Sequence, residues 1–238
     1  MSGGDPRTVG GRPAPADLGS PTTFVLLRHG ETALTPERRF SGGRPGTSGP
    51  ALSPAGREQA GRTAAALARL KGTDRAIEAV ISSPLTRCLQ TARAAADLLH
   101  LPVQVEEGLR ETDFGQWEGL TFAEAGDSDP EAFRAWLADP GTPPPGGESF
   151  RAVAARVEET RERLRARYPG RTLLLVTHVT PVKTLVRLAL GAPPQSLHRM
   201  ELAPASLTRL AYWADGNASL RGFNDTHHLE PDAAPPPV

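Results

Sequence analysis

The sequence predicts an α/β fold, a three-layer α/β/α sandwich with a mostly parallel sheet. Three observations carry that expectation. Short, wholly apolar runs, at 24–27 and 173–176, read as strands buried on both faces. Stretches with helical spacing of apolar residues lie between such runs. The apolar runs also end abruptly in polar residues, Arg28-His29, Ser82-Ser83 and Thr177-His178. In a parallel sheet, ligands bind beyond those carboxyl ends, so distant segments can share one crevice.

The first strand is expected at 23–27, an apolar run with a β-branched member. A loop rich in Gly, Pro and Ser follows at 41–53. Ser53 then reads as a helix cap, with Pro54 at the first helical position, where a missing N–H costs nothing. That helix is expected through 55–70. Residues 77–83 form a second apolar strand, and 84–100 a helix opened by Pro84. A short strand is expected at 102–107 and a short helix at 129–139, stopped by Pro140 and Gly141. Ser149 starts a long amphipathic helix over 150–168. The strand 171–178 and the helix 181–190, closed by Gly191, complete the alternation. Residues 198–223 alternate and read as two antiparallel strands.

The chain has 238 residues, 27 Lys and Arg against 27 Asp and Glu, and a single cysteine, Cys88. That length supplies one sizeable core. Zero net charge gives no pull toward nucleic acid or a membrane surface, and neither is expected as a partner. One cysteine excludes an internal disulfide and a multi-cysteine zinc site, and fits a reducing compartment. No apolar run has membrane-spanning length, and the N-terminus lacks the apolar centre of a signal peptide. A cytoplasmic location is therefore expected. Residues 1–21 read as a flexible leader or linker and 231–238 as a flexible tail, leaving one domain over 22–230.

His29 and His178 each end a buried strand. A neutral imidazole fixed in one tautomer attacks phosphorus readily. The alternative is a strand-end histidine satisfied by solvent or backbone. A metal site would need further ligands, and no His, Asp or Glu cluster at ligand spacing accompanies either histidine, so no metal and no cofactor is expected. Arg87, early in a helix, could bind a phosphate bidentately or be an ordinary exposed helix arginine. Glu111 sits in sequence among Leu109, Phe114 and Trp117, company that would raise its proton affinity toward a donor role; the alternative is a loop carboxylate paired with Arg110.

Together "LLRHGET" (26–32), "LSPAGREQA" (52–60), "SSPLTRCLQTA" (82–92), "LRETDFGQWEG" (109–119), "PPGGES" (144–149) and "VTH" (176–178) resemble the histidine phosphatase superfamily, the phosphoglycerate mutase-like family. The resemblance covers about 23–190 in order and rough spacing. It implies a phosphoglycerate mutase-like fold and hydrolysis of small phosphomonoesters without a metal. It implies His29 as the nucleophile that becomes a phosphohistidine. Arg28, Arg87 and a protonated His178 would bind the phosphoryl group, and Glu111 would be the proton donor and then the base. Backbone N–H groups after His178 would add donors, and Gly30 would leave room for the phosphoryl group or the turn beyond it.

Thr35 stands where many relatives carry asparagine, Ser41-Gly42 where a glutamine-glycine pair is usual, and Val179 where glycine is common. These positions, taken as substrate-binding, bear on the substrate more than on the reaction. The form "THVTPVKTL" most resembles the phosphatase portion of actinobacterial bifunctional ribonuclease H/acid phosphatases, whose nuclease activity is not expected of this chain. Acid phosphatase activity is expected ahead of two alternatives, mutase-type phosphoryl transfer and a non-catalytic phospholigand-binding protein. The short span between Glu111 and His178, with 129–149 as a possible lid, favours the hydrolase. The family includes both monomers and dimers, so an oligomer is possible.

Overall fold

The computed structural model describes residues 19–230. The tail expected at 231–238, and all but residues 19–21 of the expected leader, lie outside the described residues. Six strands form one sheet: β1 (Thr22–Arg28), β2 (Ala79–Ser82), β3 (Val103–Val105), β4 (Thr172–Thr177), β5 (Leu207–Tyr212) and β6 (Ala218–Asp225). Their order is β3-β2-β4-β1-β5-β6. The four strands from β3 to β1 run parallel, and β5 and β6 add an antiparallel flank. This is the expected sandwich.

The unbroken apolar runs follow from burial on two faces. Phe24 and Leu26 of β1, with Leu173 and Leu175 of β4, pack beneath α5 (Phe150–Arg167) and α6 (Val179–Leu190). Val25, Leu27, Leu174 and Val176 point the other way, onto α1 (Pro54–Ala68) and α2 (Thr86–Leu99). Each fully buried side chain of this kind contributes about 1.5–3 kcal/mol. β1 therefore sits in the centre of the sheet with its last residues held rigidly at the edge where strands β1, β2 and β4 end.

Three boundaries and one helix differ from expectation. Pro84 does not open α2: Leu85 is the cap residue, in extended backbone, and the Thr86 N–H donates to Ser48 O at 2.8 Å. The helix α6 begins at Val179, two residues early, because Pro181 falls within the first turn, where its missing N–H is harmless. The last two strands begin only at Leu207, since 194–199 form a 3₁₀ turn. A helix not expected at all, α3 (Phe122–Ser128), precedes α4 (Pro130–Ala138). Its signal was present: Thr121 accepts from the Glu124 N–H and Glu124 accepts from the Thr121 N–H, a capping box. Phe133, Trp136, Phe114, Trp117 and Phe150 gather here into a separate aromatic cluster.

The segment leading into β5 has one unusual residue. Ala205 adopts φ 55°, in the left-handed region that disfavours a Cβ. Its N–H donates to His29 O at 3.1 Å and its carbonyl accepts from His228 Nε2 at 3.1 Å. His228 is thus half-buried against α1, with Nε2 also 3.0 Å from Thr63 Oγ1.

Candidate active site

Beyond the end of β1, His29 is stitched to both neighbours: its N–H donates to Thr177 O at 3.0 Å and its carbonyl accepts from Ala205. Gly30 does not make room for a ligand. A Cβ there would lie 2.5 Å from the Gly56 carbonyl oxygen, so the glycine admits the first turn of α1. Glu31 secures that turn. Its carboxylate accepts from Ser53 Oγ at 2.7 Å, and its N–H donates to Gln59 Oε1 at 2.9 Å. The motifs at 26–32 and 52–60 are thus two sides of one contact.

The His29 ring has a defined tautomer. Nδ1 lies 2.7 Å from Gly30 O, a pure acceptor, so Nδ1 carries the proton and Nε2 keeps a lone pair. Into that lone pair Arg87 Nε–H donates at 3.2 Å. Arg87 is wholly buried, and its Nη2 donates to Ser41 O at 2.9 Å and Gly42 O at 3.2 Å. Arg28 Nη1 donates to Leu202 O. Arg28 Nε and Arg87 Nη1 are buried with no acceptor among the described residues. Buried donors of that kind are costly unless an acceptor reaches them.

His178 ends β4 as the cap residue of α6, its ring 5.1 Å from that of His29 at 62°. Its Nε2 lies 2.7 Å from Ser83 Oγ, and Cys88 Sγ is 3.3 Å away. Glu111 is buried, and its carboxylate accepts from Thr112 N–H at 2.9 Å and from Thr180 N–H at 3.3 Å. Backbone amides, not the apolar neighbours expected from sequence, meet the carboxylate. Phe114 and Trp117 turn into the aromatic cluster, and Arg110 pairs with Glu107 instead.

Residues 24–226 match the family model of the histidine phosphatase superfamily, branch 1. The chain belongs to that superfamily. It is 50% identical over 212 residues to Bifunctional protein Rv2228c of Mycobacterium tuberculosis, covering 89% of this chain and 56% of that protein. The chain thus spans about half the length of the first curated relatives it matches. To Phosphoserine phosphatase 1 of Hydrogenobacter thermophilus it is 33% identical over 169 residues, 71% of this chain and 76% of that protein. The solved structure of mycobacterial glucosyl-3-phosphoglycerate phosphatase Rv2419c with VO3 superposes with a TM-score of 0.75 at 30% identity, over 86% of this chain and 100% of that one. The resemblance read from the six motifs, including that to a bifunctional actinobacterial protein, is borne out.

This histidine phosphatase fold gathers Arg28, His29, Arg87, Glu111 and His178 at one edge. Ser41 and Gly42 hold Arg87 through their carbonyls. The Val179 amide, at the first position of α6, has no acceptor among the described residues. The Thr35 hydroxyl accepts from the Thr32 N–H at 3.1 Å, closing the turn after the histidine. Two positions were not legible. Glu118 accepts from the Gly42 N–H at 2.8 Å. Arg156 of α5 donates to the carbonyls of Gly108, Arg110 and Glu111 and to both oxygens of Glu148. Nothing in the charged pattern of 150–168 separates Arg156 from its solvent-facing neighbours.

Burial, then the charges of Arg87 and Arg28, pushes His29 well below the ordinary imidazole range. Burial, Arg87 and His29 do the same to His178. Burial and the arginines thus disfavour the proton on both rings, and the fixed cations of the site are the arginines; the protonated His178 expected from sequence belongs to the site with a phosphoryl group bound. Burial lowers Arg28 only to about 10, which leaves it charged at neutral pH. Burial raises the Cys88 thiol to about 12, so it stays protonated.

A stability prediction follows. The unfolded chain takes up protons on these two histidines below the ordinary value of 6.5, while the folded chain does not. Their contribution is therefore fully present above that value and lost as pH falls below it. The loss is about 1.4 kcal/mol per pH unit for each histidine, until the depressed folded values are reached. Urea unfolding between pH 7 and 4 checks this, and a flat midpoint would contradict it.

Proposed function

We propose that this chain is a phosphomonoester hydrolase that acts on small phosphorylated metabolites through a phosphohistidine at His29, without a metal. One observation carries the reading: a neutral, tautomer-fixed imidazole presents its Nε2 lone pair beside the guanidinium groups of buried Arg87 and half-buried Arg28, each of which holds an unused donor. Phosphoryl transfer needs positioning and charge neutralisation above all, and that arrangement supplies both.

His29 Nε2 attacks phosphorus as the ester P–O bond breaks. Glu111 gives its proton to the departing oxygen. Arg28, Arg87 and the Val179 amide bind the three peripheral oxygens. His178 stands beside them, and a dianion there would favour its proton. Glu111 then takes a proton from water as the water oxygen attacks phosphorus. The N–P electron pair returns to Nε2, and inorganic phosphate leaves. Acid phosphatase activity suits this site, because burial and the neighbouring arginines keep His29 unprotonated as the pH falls below the ordinary imidazole range.

The test is phosphate release from p-nitrophenyl phosphate in EDTA, with alkaline quenching and peptide mass analysis of His29. Release with one phosphoryl group on His29 is expected. Loss of activity in EDTA with restoration by a divalent cation, or no modified histidine, would overturn the mechanism. Incubation with 3-phosphoglycerate should yield inorganic phosphate; the 2-isomer without phosphate would favour a mutase.

A further inference from the structure

The geometry points to Lys183 as a specificity-determining residue whose ammonium takes a carboxylate carried by the leaving alcohol of the substrate. The inference rests on the reading of Glu111 as the proton donor to that alcohol.

The Thr180 N–H meets the Glu111 carboxylate. Lys183 lies three residues later on α6, one turn above it on the same face. Helical side chains lean toward the N-terminus of their helix, so the Lys183 stem runs back toward Thr180 and Glu111. The residue is half-buried, yet its ammonium makes no ion pair or hydrogen bond among the described residues. Every other basic side chain gathered at this edge has a fixed partner: Arg28 on Leu202 O, Arg87 on Ser41 O and Gly42 O. Glu111, Arg28 and Glu201 are the charges that act on Lys183, and burial makes its proton easier to lose. A half-buried, unpaired ammonium is an unfavourable arrangement in isolation and a favourable one opposite an anion.

Glu111 marks where the ester oxygen departs, so what lies beside Glu111 lies beside the leaving alcohol. His198 is set against the rings of Phe150 and Trp136 at 5.8 and 6.3 Å. Burial, and then the charge of Lys183, lowers the proton affinity of His198. A single ammonium next to a carboxyl group matches one negative charge. A second phosphate would bring a dianion toward Glu111 with one cation to balance it. The favoured substrates are therefore phosphomonoesters of small hydroxy acids or hydroxy amino acids.

Two substrate pairs differ only at that group: phosphoserine against phosphoethanolamine, and 3-phosphoglycerate against glycerol 3-phosphate. Wild-type kcat/KM should favour the carboxylate member of each pair by roughly ten- to hundredfold. Lys183→Met should bring both ratios close to one, mainly through KM, and Lys183→Arg should restore most of the preference. Because each ratio is internal to one variant, a general loss of activity cancels. A wild-type ratio near one, or a ratio unchanged in Lys183→Met, would overturn the inference while leaving the hydrolase reading intact. Phosphate release from none of the four esters or from p-nitrophenyl phosphate would overturn both.

Discussion

Replacing His29 with alanine is expected to lower phosphate release from p-nitrophenyl phosphate by roughly 10⁴-fold or more, the scale seen when a covalent nucleophile is removed. The reason is specific to this ring. Gly30 O fixes the Nδ1 proton, Arg87 points at Nε2, and the His29 backbone is bonded to Thr177 and Ala205 on either side. No other side chain at this edge offers a comparable lone pair: His178 Nε2 faces Ser83 and Cys88, and the Cys88 thiol is protonated. The variant should still bind vanadate, because Arg28 and Arg87 remain. It should also be less sensitive to acid than the wild type, since one of the two most strongly depressed imidazoles is gone. Activity within tenfold of wild type in a folded His29→Ala variant would end the covalent mechanism.

Replacing Arg156 with methionine is expected to cost about 2–4 kcal/mol of stability and to lower kcat more than it raises KM. Arg156 is the clasp on the loop that delivers Glu111. Its guanidinium joins three successive stretches of backbone, at Gly108, Arg110 and Glu111, to the carboxylate of Glu148. Methionine keeps the stem and removes every donor, leaving three carbonyls and one partly buried carboxylate without their partner. Lysine offers one donor group in place of the fork and should recover part of the stability and little of the geometry. Chemical unfolding and steady-state kinetics on the two variants check this together. An unchanged unfolding midpoint with unchanged kcat would show that the loop is held by something else.

The chemistry of the site was legible because it sits in short, uninterrupted segments. Buried strands must be apolar on both faces, so the polar residues at their ends stand out, and β1 and β4 announce Arg28-His29 and Thr177-His178 directly. The helix N-terminus at Ser53-Pro54 was equally plain, since capping is local chemistry. What was not legible depends on contacts between distant segments. Gly30 serves α1, and only the approach of Gly56 shows it. The lowered proton affinity of His178 comes from burial and from Arg87, neither of which the triplet around it can reveal. Arg156 looks like any arginine on a charged helix until its carbonyl partners arrive from the 108–111 loop. The short helix α3 is a different kind of miss, because Thr121 and Glu124 carried its signal in plain order.

The placement of β1 has a consequence for how the chain reaches its folded state. Thr23 pairs with Thr172 and Leu27 with Leu207, so the strand that carries the nucleophile is synthesised well ahead of its neighbours in the sheet and waits for partners far along the chain. Pairings this remote slow folding and leave an apolar strand uncovered meanwhile. The reactive imidazole therefore acquires its two backbone anchors, the Thr177 carbonyl and the Ala205 N–H, late, once β4 and the segment leading into β5 have docked. A nascent or truncated chain ending before β5 would carry every catalytic side chain named here and still lack one of the two backbone anchors of His29.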